Sequence, residues 1–129
     1  MIDLYTWHTP NGRKVSIMLE EIGMDYNVHS INIAKDEQFQ PHFLEVSPNN
    51  RIPAIVDKDN NNYSLFESGA ILMYLAEKSG KLINKSNSDE YFRTIEWLMW
   101  QMGGVGPMFG QVHHFVKYNK GKSEYSETR

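Results

Sequence analysis

Alternation opens the chain: Ile2, Leu4 and Thr6 interleave with Asp3 and Tyr5, the period of a strand. Residues 7–12 are rich in turn formers. The period then changes. Val15, Met18, Leu19 and Ile22 fall at i, i+3, i+4 and i+7, one apolar face of a helix. Pro10 and Asn11 suit its start and Gly23 a left-handed stop. Residues 26–33 are rich in strand formers. A helical crossover of this length predicts that the two strands are parallel neighbours. Residues 36–46 carry Phe39, Phe43 and Leu44 but are interrupted by Pro41, which predicts a short, irregular helix. Residues 50–57 read as a turn, a proline and a strand. Tyr63–Phe66 returns across a polar loop as the second arm of a hairpin, with the asparagines at 60–62 at the tip. Glu67-Ser68-Gly69 starts a helix with Ile71, Leu72, Tyr74, Leu75 and Lys78 along one face, and Gly80 ends it.

The polar stretch 81–88 is the expected domain boundary, between a first domain at 1–80 and a second segment at 89–129. Asp89 opens a strong helix carrying Phe92, Ile95, Leu98, Met99 and Met102 together with Trp97 and Trp100. It is apolar over much of its circumference, so it is expected to pack on more than one partner. Gly103, Gly104, Gly106 and Pro107 should kink or interrupt it, and residues 111–116 continue it. From Lys117 onward the chain is polar. A helix this apolar calls for further helices as cover, so the chain is expected to be truncated or covered by another subunit.

Composition narrows the chemistry. The 129 residues are 40% hydrophobic and 22% charged, ordinary for a soluble domain that builds its core without staples. No cysteine is present, which excludes a disulfide scaffold, a cysteine-ligated zinc site and a cysteine nucleophile within these residues. The net charge of −3 lacks the basic footprint of a nucleic-acid binder. No apolar run approaches the roughly eighteen residues of a membrane span, and the N-terminus has no leader pattern. The expectation is a cytoplasmic protein with neither nucleic-acid nor membrane partner. His113 and His114 point about 100° apart on a helix and have no carboxylate at ligand spacing, so no metal is expected.

Three motifs carry a family resemblance. Residues 5–14 (Tyr-Thr-Trp-His-Thr-Pro-Asn-Gly-Arg-Lys), 47–55 (Ser-Pro-Asn-Asn-Arg-Ile-Pro-Ala-Ile) and 66–71 (Phe-Glu-Ser-Gly-Ala-Ile) resemble cytosolic glutathione transferases. The tract 97–108, with Gly103-Gly104-Val105-Gly106-Pro107-Met108, is similar to the Nu class, whose members act on glutathione and glutathione disulfide as thiol–disulfide oxidoreductases. The resemblance implies an α/β thioredoxin-like domain of order βαβαββα, followed by the first part of an all-α domain. It implies glutathione as co-substrate without a metal, a small electrophile or disulfide as second substrate, and a homodimer with 89–116 near its two-fold axis. The family's remaining helices, which supply part of the second-substrate pocket, have no counterpart here. The alternative is a non-catalytic fragment that binds glutathione or a partner.

The candidate residues follow. A helix N-terminus offers unpaired N–H groups and partial positive charge, so a thiolate placed there has a lowered pKa. This chain has no thiol to place there, so the sulfur has to come with a ligand. Read from the residues alone, Thr9 and Asn11 are caps. The resemblance implies that the Thr9 hydroxyl and Asn11 amide donate hydrogen bonds to the glutathione sulfur. Tyr5 is a rival activator, but its place in a strand favours packing. His8 is assigned no role. The resemblance also implies a cis bond between Ile52 and Pro53, with the backbone there paired to the cysteinyl unit of glutathione. Ser68 and the first N–H groups of its helix suit the γ-glutamyl carboxylate, and Glu67 the ammonium; an ordinary helix cap is the other reading. Gln38 is expected to reach the ligand and Arg51 to lie near the glycyl carboxylate.

Overall fold

A computed structural model describes residues 1–128. The chain divides into two compact units, Met1–Asn84 and the residues from Lys85 onward.

The first unit runs β1 (Ile2–Thr6), α1 (Pro10–Ile22), β2 (Tyr26–Ser30), α2 (Pro41–Leu44), β3 (Ala54–Asp57), β4 (Tyr63–Phe66) and α3 (Ser68–Ser79). The four strands form one sheet in the order β2-β1-β3-β4. β1 and β2 are parallel, as the crossover predicts, and β3 runs antiparallel to both β1 and β4. This is the thioredoxin-like order. β2 stops at Ser30, short of Ile33, because Asn32 caps a 3₁₀ turn at Ile33–Lys35. A second such turn, Glu37–Phe39, follows after Asp36 adopts φ 59°. The irregular helix expected over 36–46 is therefore this turn plus the four-residue α2, with Pro41 in its first turn, where a missing N–H is tolerated.

Strand alternation builds two cores. Ile2, Leu4 and Ile55 point to one face, where they meet Val15, Leu19 and Ile22 of α1 and Ile71 and Leu75 of α3. Tyr5 and Ala54 point to the other face, toward Ile31 and Phe43. Each fully buried aliphatic side chain contributes about 1.5–3 kcal/mol relative to exposure. Gly12 sets how closely α1 approaches β1. A Cβ there would lie 2.3 Å from Thr6 Oγ1 and 2.5 Å from the Trp7 carbonyl.

Two buried carboxylates hold the end of the sheet where β1 begins. Asp57, opposite Ile2, accepts from Lys78 Nζ at 2.7 Å, from the Tyr74 hydroxyl at 2.6 Å and from the Asp59 N–H at 3.0 Å. Burial pushes its pKa up, but these bonds outweigh burial and hold it below the usual range. Asp3 accepts from Lys58 at 2.9 Å, Asn27 at 3.1 Å and His29 at 3.4 Å, with the same outcome.

The second unit opens with α4 (Ser88–Trp100), one residue earlier than expected, because Asn87 Oδ1 accepts from the N–H groups of Asp89 and Glu90. The glycine-rich tract interrupts the α bonding pattern but stays helical. A wide π turn at Gln101–Val105 leads into α5 (Gly106–Val112), and a second spans His113–Tyr118. A short α6 (Glu124–Thr128) follows, an element the apolar pattern does not predict. None of this unit's described side chains is buried; Phe92, Trp97, Trp100, Met108 and Phe109 are all more than half exposed. No helix among the described residues is long and apolar enough to cross a membrane.

Candidate functional site

Where β1 ends, the turn through Trp7 and His8 brings Thr9 to the start of α1. The Thr9 N–H donates to the Trp7 carbonyl at 2.7 Å, and Thr9 Oγ1 accepts from the Gly12 N–H at 3.2 Å. Thr9 is thus a helix cap, in extended backbone at φ −124°. Capping uses only its acceptor side, which leaves the hydroxyl proton for a ligand. No acidic side chain occupies the first turn, so the positive end of the helix is not neutralised there.

Thr9 and Asn11 form one wall of a cleft of about 350 Å³. Gln38, from the second 3₁₀ turn, and Arg51 and Ile52, from the loop before β3, form the others. That loop is pinned by Ser47, whose hydroxyl donates to the Arg51 carbonyl at 2.8 Å, and by Asn50 at φ 49°. The Ile52–Pro53 peptide is cis. Gln38 Oε1 is shielded from solvent and has no hydrogen-bond partner among the described residues. The exposed Arg51 guanidinium carries no ion pair among them either.

Pro53, Glu67 and Ser68 do not line this cleft. Pro53 is buried just behind Ile52, and Ser68 is buried at the first position of α3. Glu67 is exposed and holds φ 72° and ψ 112°, a conformation that L side chains rarely adopt, with no cap bond from its side chain. Such strain clusters at binding sites. Lys14 links the two places. Its Nζ donates to Asn11 Oδ1 at 2.9 Å. Burial lowers its pKa, while the Glu67 carboxylate pushes the other way.

Tyr5 packs away from the cleft, stacked on His29 at 4.7 Å between ring centroids. Burial, with the Asp3 charge second, raises its pKa, so it is a poor base at neutral pH. A second cleft of about 450 Å³ includes Asp25, Asp59, Lys78 and Lys81, and three of these four charges are already engaged. Lys78 pairs with Asp57, the terminal amine with Asp59, and Lys81 donates to the Ile22 carbonyl at 2.6 Å. The described residues contain no cluster of three or more histidine, cysteine, aspartate or glutamate side chains able to hold a metal ion.

The family model for the glutathione S-transferase N-terminal domain matches residues 1–77. The chain belongs to the glutathione S-transferase family. It is 52% identical over 119 residues to the disulfide-bond oxidoreductase YfcG of Escherichia coli, covering 89% of this chain and 55% of that protein. Its identity to YghU, a disulfide-bond oxidoreductase of the same organism, is 40% over 135 residues, covering 99% and 46%. These names agree with the Nu-class resemblance of the tract 97–108. A glutathione transferase family member from Pseudomonas fluorescens, solved with two glutathione bound, superposes with a TM-score of 0.93 at 51% identity, covering 99% of this chain and 58% of that one. A glutathione transferase from Pseudomonas putida, solved with one glutathione disulfide per subunit, gives 0.90 at 48%, covering 99% and 57%. The chain spans about half the length of the curated relatives it matches.

Within this transferase domain, sequence reasoning missed Ile33, Phe39 and Asn50 on the cleft wall, and Lys14 beside it. Phe39 had a signal: it is an aromatic next to Gln38 in a segment too broken to bury it. Lys14 had one too, lying three residues after Asn11 on a helix, where side chains meet. Asn50 had only its place in the motif at 47–55 and Ile33 had none, since the turns that aim them depend on left-handed residues at 36 and 50.

Proposed function

We propose that this chain binds glutathione or glutathione disulfide in the cleft at the N-terminus of α1. A protein built on it uses glutathione for thiol–disulfide exchange or for conjugation to small electrophiles. One observation carries the reading: the cleft presents the Thr9 and Asn11 side chains at a helix N-terminus, where a thiolate is stabilised, and the chain holds no cysteine of its own. The cleft's remaining groups fit a peptide ligand with a carboxylate. Gln38 Oε1 awaits an N–H donor and Arg51 an anion.

In this reading the Thr9 hydroxyl and Asn11 carboxamide donate to the sulfur. The backbone at Ile52, before Pro53, pairs with the cysteinyl unit. Ser68 and the first N–H groups of α3 take the γ-glutamyl carboxylate, and Glu67 takes the ammonium. Gln38 and Arg51 hold the glycyl end. Bound glutathione supplies the nucleophile: its thiolate displaces one sulfur of a disulfide, which leaves as a thiolate and takes up a proton. Donors aimed at sulfur lower the pKa of the attacking thiol. The glutathione and glutathione disulfide in the two Pseudomonas structures support the ligand class. The function rests on a domain at 1–80, a linker at 81–88 and a second segment at 89–129, whose last residue lies outside the described ones. The exposed apolar side chains of α4 and α5 support a homodimer with that segment near the two-fold axis, and a cytoplasmic setting supplies reduced glutathione.

The experiment is calorimetric titration of the 129-residue chain with glutathione and with glutathione disulfide. One-site saturable binding, lost on combining Glu67→Ala with Ser68→Ala, supports the reading. No binding by a folded, monodisperse chain overturns it. The span of only half the relatives' length favours a second reading, a binding fragment without turnover. Binding with no reduction of a model disulfide selects it.

A further inference from the structure

The proposed sulfur site depends on which way the Asn11 carboxamide faces. Its NH₂ is a donor and suits a thiolate; its oxygen is an acceptor and repels one. The terminal amide torsion is soft, so the side chain does not choose by itself. Lys14 makes the choice. An ammonium has donors only, so the Asn11 atom 2.9 Å from Lys14 Nζ has to be the oxygen. The assignment follows from the chemistry of the pair, and it leaves the NH₂ free of that contact. The two residues stand three apart in the first turns of α1, where side chains share a face. Asn11 lines the cleft and Lys14 does not, and Lys14 meets the site through its bond to Asn11.

Glu67, the residue before α3, bears on the arrangement as well. Burial favours the neutral amine of Lys14, and the Glu67 carboxylate opposes that. A neutral amine has a lone pair and tolerates either end of the carboxamide; an ammonium can only donate, and only to the oxygen. The Glu67 carboxylate thus opposes the effect of burial on Lys14.

We infer that Lys14 is a positioning residue of the sulfur site, holding the Asn11 carboxamide by its oxygen so that its N–H groups face the glutathione thiolate. The inference rests on the glutathione reading above. It also defines a preference: the site favours a deprotonated sulfur over an alkylated one, because a thioether is a weak acceptor and carries no charge.

The test compares the unaltered chain with Lys14→Met, Lys14→Arg and Asn11→Ala. Two quantities are read: the pKa of bound glutathione, from ultraviolet thiolate absorbance against pH, and the affinity for S-methylglutathione. Lys14→Met is expected to raise the bound thiol's pKa by about one unit, a tenfold smaller thiolate population at a pH below both values. Its affinity for S-methylglutathione is expected to stay within about twofold. Lys14→Arg keeps the donor and is expected to match the unaltered chain. In the Asn11→Ala background, Lys14→Met is expected to shift the thiol by less than half as much. An unchanged bound-thiol pKa in Lys14→Met overturns the inference while leaving the glutathione reading intact. So does an equal shift with and without Asn11, since the lysine would then act by charge alone. An unaltered chain that binds neither ligand overturns both.

Discussion

The two ends of the sheet are built on opposite terms. Where β1 begins, polar groups are buried and satisfied: Asp57 and Asp3 each accept three hydrogen bonds and sit below the usual carboxylate range. Where β1 ends, groups are left waiting. Gln38 Oε1 has no partner among the described residues, Arg51 no counter-charge, and Glu67 a strained backbone. Both ends share one sheet, so the difference is not one of scaffold. Satisfied groups stabilise the fold; groups left unsatisfied without a ligand are what a ligand can complete.

That contrast makes predictions that differ in what they disturb. The largest is at the satisfied end. Asp57→Ala strands Lys78 and Tyr74 and is expected to cost about 3 kcal/mol in urea unfolding, toward the low end for a broken buried pair because Lys78 is partly exposed. Glutathione affinity of the folded protein stays unchanged; a matching loss of affinity would break the contrast.

The same carboxylates set the acid limit. Their folded pKa lies below the ordinary 3.8, so their contribution is fully present above that value and is lost as pH falls through the depressed one. Lys78 and Lys58 lie above the ordinary 10.5, so theirs is present below it and lost as pH rises through the raised value. Thermal midpoints should be flat between these limits and fall outside them.

At the waiting end the effects move to binding. Glu67→Ala removes the carboxylate proposed for the ligand ammonium and is expected to weaken glutathione about tenfold or more by calorimetry, with little change in stability. Glu67→Gly also weakens binding, but it relieves the backbone at φ 72° and is expected to stabilise the fold by about 1 kcal/mol. Arg51→Ala is the smallest, roughly a threefold loss of affinity that fades as salt is added, as for an exposed charge.

Much of the fold was legible because burial wrote itself into spacing. Ile2 and Leu4 alternate, and Val15, Met18, Leu19 and Ile22 repeat at helical intervals, so β1 and α1 follow from local pattern alone. Residues 33–46 were less legible, since their path is set by Asp36 at φ 59° and by Phe43 reaching the second core, neither of which is periodic. The cleft was readable in part. Thr9, Asn11, Gln38, Arg51 and Ile52 were named through the family likeness and converge on one cleft. Ile33 and Asn50 come from turns whose aim depends on the folded chain, and the Lys14–Asn11 bond sits on an exposed helix face that pattern reading passes over.

The wide turns in the second unit add a lesson about reading helices. Each turn at Gln101–Val105 and His113–Tyr118 closes with one residue more than an α turn needs. One residue is about 100° of rotation, so each is a phase slip in the screw. A wheel drawn through residues 88–118 as one continuous helix therefore misplaces every position that follows a slip. Drawn piecewise, α4 and α5 are two shorter faces offset in azimuth, and the glycines at 103 and 104 sit at the slip between them.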